Sequence, residues 1–404
     1  MSTKIIVSYM VKLLRYESYH NFVPEGTQDD GAYVAQFTDI YMSGWRTAPI
    51  PGIHAAGKKI LSYRNVRSMD NTTSDYNEAW ALKSDTGELV TERGYPQNIV
   101  ADPASKGWIS FLIGWVQRRA NEGFDGVFLD NSLDPYVPYE YNLSARPINP
   151  RTGKYYTDND WVRDRVILAN LIKAAFPSMI FITNGIWSGD FYYRHKAGFD
   201  YALANMTIDG ILTEGLYTNI EGLIWPESVW IQSVNLVKEL QTRWINKGKM
   251  MVFYSQAKNG ATYNSIPVEQ MAGLIFGSTL LGVSNLPNNY VCCHNGMSLP
   301  RTQGMYKIDL GNPTGDYYKL EGTRLYARNF SKATVIVNPS SFDQTLSDGT
   351  VIPRYSSQFI IPTPTPSVAL PVIMIGAGLT MNNPLIGIPI LLTGAGLYYL
   401  QRRG

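Results

Sequence analysis

Two six-residue segments share one plan. Asp125-Gly-Val-Phe-Leu-Asp130 and Asp209-Gly-Ile-Leu-Thr-Glu214 each run Asp-Gly, three mostly apolar residues, then a carboxylate. Side chains alternate between the two faces of a strand, so Gly126, Phe128 and Asp130 share a face, as do Gly210, Leu212 and Glu214. Counted as the fourth and sixth strands of a closed parallel barrel, the two would contribute to one interior layer. Asp130 and Glu214 would then face one cavity at the C-terminal mouth. Two facing carboxyl groups can cleave a glycosidic bond: one protonates the leaving oxygen, the other attacks the anomeric carbon or activates water. Mutual repulsion and partial burial raise the pKa of the group that acts as the acid. Asp-Gly is also a common turn pair, and Asp125 and Asp209, at strand starts, are read as structural.

The elements needed to position such a pair are present. Apolar runs at Lys59–Tyr63, Asn98–Asp102, Gly126–Asp130, Met179–Thr183, Gly210–Thr213 and Met250–Tyr254 read as strands, several ending in polar residues. Between them lie helical patterns over about 105–122, 158–176, 226–245 and 268–281. In the first, Trp108, Phe111, Leu112, Trp115 and Arg119 form one stripe, and Gly123 follows as a stop. In the second, Val162, Val166, Leu168, Leu171 and Ile172 supply the apolar positions. Strands alternating with helices indicate a parallel sheet, and about eight such units fit a (β/α)8 TIM barrel over residues 1–295. No Gly-x-Gly-x-x-Gly opens a helix after a strand, so a dinucleotide fold lacks its signature. Residues 296–362 change to short runs between turn clusters, a small antiparallel β-sandwich-like domain.

Composition narrows the partners. The 404 residues carry 35 basic and 33 acidic side chains, for a net charge of +2, with no basic block to meet phosphates, which excludes nucleic acid as a partner. The two cysteines, Cys292 and Cys293, are adjacent and make no disulfide framework. Four scattered histidines (His20, His54, His195 and His294) make no zinc site, and no cofactor is expected. His195 and His294 are read as surface or structural. Aromatic residues make up 12% of the chain, which suits sugars with their flat C–H faces.

The C-terminus has a different character. No charged residue occurs between Arg354 and Arg402. Pro362–Ser367 reads as a stiff stretch, with 363–367 the linker between domains, and 368–404 as an apolar helical tail interrupted by Asn382-Asn383-Pro384. A span needs about 20 apolar residues, so 368–400 is expected to engage a lipid membrane, as one kinked span or a re-entrant hairpin. Ile375-Gly-Ala-Gly-Leu379 and Thr393-Gly-Ala-Gly-Leu397 are near repeats of the small-residue type that lets helices approach in lipid. No signal peptide is evident at the N-terminus. The expectation is a body anchored by its C-terminus, extracellular or on a virion surface.

Position at the mouth selects further candidates. Tyr63, Arg64, Asn65, Asp102, Asn184, Tyr254 and Gln256 end their strands there and could hydrogen-bond sugar hydroxyls. Trp187 and Tyr217, just beyond strands five and six, are stacking candidates.

Gly123-Phe-Asp-Gly-Val-Phe-Leu-Asp-Asn131 resembles the fourth-strand motif of barrel glycoside hydrolases of the endo-α-1,4-polygalactosaminidase-like and "hypothetical glycosyl hydrolase" group. Colinear pieces follow the same pattern: Tyr63-Arg-Asn-Val66 as a second-strand end, Val100-Ala-Asp-Pro103 as a third, Thr183-Asn-Gly185, Gly210–Glu214, and Arg328-Asn-Phe330 with Val335–Pro339 in the β domain. The resemblance covers about residues 10–362 and leaves out the apolar tail. It implies Asp130 as nucleophile or base and Glu214 as general acid/base in a polysaccharide-degrading barrel. The substrate does not carry over. The competing reading is a barrel that binds glycan, or builds a surface or virion layer, without cleaving anything. Neither reading sets an oligomeric state.

Overall fold

The computed structural model describes residues 12–16, 29–36, 38–138, 142–219, 222–256, 266–283, 289–294 and 308–361, with the backbone alone for 12–16, 256, 268–269 and 289–294. Eight strands close into a barrel: β1 Lys12–Tyr16, β2 Ile40–Met42, β3 Lys59–Asn65, β4 Gly126–Asp130, β5 Ile180–Ile186, β6 Gly210–Thr213, β7 Met250–Gln256 and β8 Asn289–His294. Each pairs in parallel with its neighbours in sequence, and β1 pairs with β8 to close the ring. Eight helices accompany these strands among the described residues: α1 Gly31–Ala35, α2 Ile50–Ala55, α3 Lys106–Asn121, α4 Asp158–Ala175, α5 Gly189–Arg194, α6 Lys196–Asn205, α7 Glu227–Arg243 and α8 Val268–Gly282.

Local sequence explains the long helices. Ser105 caps α3 by accepting from the Trp108 N–H, and Trp108, Leu112, Trp115 and Val116 form its buried face. Thr157 caps α4 in the same way through the Asp160 N–H, with Val162, Val166, Leu168 and Ile172 buried. Leu171, placed by its spacing on that apolar face, is 43% exposed: the buried stripe runs through its neighbours and leaves it on the solvent side.

The barrel interior is the packed layer that alternation demands. Ile40, Met42, Leu61, Phe128, Ile182, Leu212, Val252 and Tyr254 meet in one cluster, one or two from each of β2 to β7. The carboxylates of the two Asp-Gly echoes thus stand two residues above Phe128 and Leu212 on the same face. Asp125 and Asp209 sit at the opposite end. Asp125 accepts from the Ile60 N–H and pairs with Lys59 and His54, and Asp209 accepts from the Phe181 N–H and pairs with Lys173. Each ties the start of its strand to the strand before it.

One strand assignment is corrected. Asn98–Asp102 does not form part of the barrel; Tyr95–Val100 pairs antiparallel with Ser68–Asp70 and Thr91–Glu92 in a three-stranded sheet of the β3–α3 connection. The run Lys59–Asn65 is accordingly the third barrel strand rather than the second. An apolar run reveals a strand but not the direction of its partner, so Asn98–Asp102 has the sequence character of a barrel strand without being one.

Beyond the barrel, β9 Tyr318–Lys319, β10 Tyr326–Asn329, β11 Thr334–Asn338 and β12 Ser356–Ile360 form a four-stranded antiparallel sheet, beside a two-stranded hairpin of Gln344–Thr345 and Val351–Ile352. The sheet packs on α7 and α8. Tyr326 packs at a tilt against Trp230 and donates to Glu227, Ser357 Oγ donates to the Gly273 carbonyl at 2.6 Å, and Arg328 donates to the Leu280 and Val283 carbonyls that end α8. The linker and apolar tail, 363–404, lie outside the described residues. Among the described residues, no helix is long and apolar enough to cross a membrane.

Candidate active site

Asp130 ends β4, Asn184 lies near the end of β5, and Glu214 directly follows β6. The register places them side by side: Asn65 pairs with Asp130 and Leu129 with Thr183, while Glu214 N–H donates to the Ile186 carbonyl at 2.8 Å. Asn184 Nδ2 donates to Asp130 Oδ1 and, at 2.8 Å, to Glu214 Oε2. One amide nitrogen therefore bridges the two carboxyl groups. Two hydrogen bonds of ordinary length sharing a donor keep their acceptors no more than about 6 Å apart.

The two acids are not equivalent. Asp130 also accepts from Tyr63 Oη at 2.5 Å and Asn131 Nδ2 at 3.2 Å, whereas Asn184 is the donor seen on Glu214. Burial raises the pKa of both. For Glu214 the neighbouring Asp130 charge adds to burial, pushing it up to about 8. For Asp130 the Tyr63 hydroxyl, the Arg67 charge and the Asn184 amide oppose burial, though the net direction is still upward. Hydrogen bonds to the charged form favour that form, so Asp130 is the member that ionises first and Glu214 the one that keeps its proton.

Asn131 makes the corner rigid. Its φ of +55° is left-handed backbone, which asparagine tolerates better than most residues. Its N–H donates to Asn184 Oδ1 at 2.6 Å, which orients the bridging amide, and its carbonyl accepts from Arg165.

Beside the pair lies a buried charge network with no signature in the sequence. Arg67 donates through Nε to Glu92 at 2.9 Å and approaches Asp134 at 3.5 Å, and Arg165 lies 3.8 Å from Asp134. Burial works against the Arg67 charge, and Asp134 and Glu92 overcome it, so its pKa rises. Burial likewise opposes ionisation of Glu92, and Arg67 with the Asn98 and Asn65 amides overcomes it, leaving that pKa below the usual range. Arg165, lowered to about 10 by burial, stays charged at neutral pH. These residues come from the β3–α3 connection, the chain after β4 and α4, so no spacing rule joins them.

The other sequence candidates divide. Tyr63, Asn184 and Asn65 are brought to the pair, Asn65 at one remove: it donates to Glu92 and its Oδ1 accepts from the Arg67 N–H. Trp187 is partly exposed and lies against the chain beside Glu214, since a Cβ on Gly215 would come within 3.3 Å of its ring. Tyr254 is 4% exposed and packs in the barrel interior below the mouth. Arg64 turns outward, as the neighbour of an inward Tyr63 must. Its guanidinium lies over the Trp108, Phe111 and Trp115 rings and pairs with Asp75. Asp102 is displaced with its segment and accepts from Tyr156 Oη at 2.8 Å. Tyr217 is fully buried in the core, so it offers no stacking face; the chain after Glu214 folds inward and its N–H donates to Ser255 Oγ. The Gln256 and His294 side chains lie outside the described residues. His195 stacks on Tyr136 at 4.1 Å, consistent with a structural role. Trp225, unmarked by any sequence pattern, is partly exposed and donates through Nε1 to the Gly215 carbonyl at 2.7 Å, next to Glu214.

Residues 18–207 match the sequence profile of glycoside-hydrolase family GH114. No curated protein matches the chain. Among solved structures, Eubacterium rectale Amy13B is 12% identical, with 88% of this chain and 96% of that chain covered, at a TM-score of 0.51, a likeness of fold. The glycoside hydrolase domain of Pseudomonas aeruginosa PelA is 13% identical, covering 72% and 95%, at a TM-score of 0.46. Aspergillus fumigatus Ega3, solved with galactosamine, is 15% identical, covering 73% and 95%, at a TM-score of 0.40.

Proposed function

The chain carries a glycoside-hydrolase barrel similar to family GH114, and from that premise we propose that Asp130 and Glu214 hydrolyse a polysaccharide with retention at the anomeric carbon. The single observation that supports this is the Asn184 amide held between the two carboxyl groups. Retaining enzymes set their carboxyls about 5–5.5 Å apart, whereas inverting ones need roughly 6.5–9.5 Å to fit a water. A shared hydrogen-bond donor is compatible with the first spacing and crowds the second.

In this reading the ionised Asp130 attacks the anomeric carbon. The bond to the leaving oxygen breaks as Glu214 gives that oxygen its proton. Glu214, now a carboxylate, takes a proton from water, whose oxygen displaces Asp130 from the glycosyl–enzyme. Both groups end as they began. Tyr63 holds the attacking oxygen, and the nearby Arg67 charge favours the ionised form of Asp130. Residues 368–400 are read, as an extension of the proposal, as a lipid anchor for this body.

The test is E214Q and D130N of the full-length chain on a polysaccharide panel, scored by new reducing ends. A loss on the order of 10³-fold is expected for each. For the unaltered chain, the first-formed anomer observed by NMR has the configuration of the bond cleaved. Full activity in E214Q, or an inverted product, overturns the assignment.

A further inference from the structure

The largest exposed ring among the described residues lies beside this site rather than in it. Trp45 is 76% exposed, more than any other large hydrophobic residue described. Water does not favour that exposure, and the backbone presenting the ring is rigid. Ser43, Gly44, Trp45 and Arg46 form a tight turn closed by the Arg46 N–H on the Ser43 carbonyl at 3.2 Å and by Ser43 Oγ on the Arg46 carbonyl at 3.0 Å. Gly44 sits at φ +67° with nothing within 4 Å of an added Cβ, so the dihedral, not the space, calls for glycine.

This turn extends the β2–β3 ladder to the height of the site. Ser43 N–H donates to the Leu61 carbonyl, Tyr63 N–H donates to the Gly44 carbonyl, both at 3.0 Å, and Ser62 Oγ donates to the same Gly44 carbonyl at 2.7 Å. Tyr63 is the residue whose hydroxyl holds Asp130, and Asn65 is the register partner of Asp130. Trp45 therefore leaves the barrel rim two strand positions from Asp130, roughly 10 Å away at the spacing of neighbouring strands. A ring carried on that backbone stands off from the sugar whose bond is broken. It can meet a sugar further along the same chain.

We infer that Trp45 is the platform of an outer subsite, which stacks on the C–H face of a pyranose unit one or two residues from the scissile bond. The inference rests on the hydrolase reading above and adds to it a preference for polymer over short oligosaccharide. The indole supplies area and a flat face, and the turn supplies pre-organisation, so binding orders little that is not already ordered.

The probe is α-1,4-linked galactosamine oligomers of increasing length, with the full-length chain as W45A and W45F. For long oligomers W45A should raise KM by about tenfold with kcat unchanged. For oligomers too short to reach the turn, both constants should match the unaltered chain, and W45F should recover most of the loss. In parallel, W45A is placed in the E214Q background and binding is measured by calorimetry. There the long oligomer should bind about tenfold more weakly than to E214Q alone. An unchanged KM for every length, or an equal loss for short and long oligomers, overturns the subsite while leaving the hydrolase reading intact. Binding by E214Q with no cleavage by the unaltered chain defeats the hydrolase reading, and the W45A comparison in E214Q then decides the subsite by itself. Neither cleavage nor binding defeats both.

Discussion

Replacing Asn184 by Ala tests the centre of the argument, because one side chain makes three of the contacts that define the pair. It donates to Asp130 and to Glu214 and accepts from the Asn131 N–H. A hydrogen bond to a charged group contributes about 1.5–3 kcal/mol. Asp130 would keep Tyr63 and Asn131 but lose its third donor, so its pKa, already raised by burial, moves higher still. The acidic limb of the kcat/KM profile, which reports Asp130 losing its proton, should shift upward with it. At the optimum, kcat should fall on the order of 100-fold, since the two carboxyls are no longer held to one spacing. The orphaned Asn131 N–H adds a stability loss of about 1–3 kcal/mol, a fall of several degrees in Tm. The assay is reducing-end release across pH 4–9, with Tm as the fold control. An N184A enzyme with an unmoved acidic limb and near-full kcat would refute the bridging role.

Four further outcomes follow from the same contacts. The alkaline limb of kcat/KM should fall near pH 8, where Glu214 loses the proton it must donate; titration against reducing ends checks this. Glu214 also links stability to pH: its folded pKa lies above its unfolded value, so the neutral form is favoured in the folded state and stability falls as pH rises from about 4.5 to 8, by up to roughly 1.4 kcal/mol per unit. Tm should therefore drop less in E214Q than in the unaltered chain over that range. R67M takes the shared cation from buried Glu92 and Asp134, leaving Glu92 its amide donors and Asp134 the more distant Arg165, and should cost about 3–5 kcal/mol by urea unfolding. R64A should lower Tm through the lost stacking on Trp108, Phe111 and Trp115 yet leave KM unchanged, because the side chain faces away from the mouth.

Sequence periodicity carried the argument wherever a property is local. Alternation along two strands put Asp130 and Glu214 on inward faces, and the capped, striped patterns marked α3 and α4 to within a residue or two. It failed where partners are distant. Asn98–Val100 has the apolar character of a barrel strand but pairs antiparallel with Ser68–Asp70, which took Asp102 away from the mouth. Tyr217 follows its strand closely enough to be a rim residue, and only the inward path after Gly215 buries it. Arg67, Glu92, Asp134 and Arg165 form a unit in space from three separate stretches of chain, and nothing in their spacing announces it. Short elements such as β2 and α2 are below the length at which periodicity becomes visible.

The two copies of the Asp-Gly plan carry an acid at both ends, and the lower one has its own consequence. Asp125 and Asp209 clamp the feet of β4 and β6 to their neighbours, and a five-residue strand spans about 17 Å. Each strand thus behaves as a lever pinned at its base. Loosening the pin lets the far tip swing, and a carboxyl displaced by an ångström is a poor catalyst. A mutational screen scored only on turnover would therefore flag Asp209 beside Glu214 and Asp125 beside Asp130, as though four acids did chemistry. Substituting Asn at the lower pair, which keeps an acceptor for the clamped N–H, separates the fulcrum from the blade.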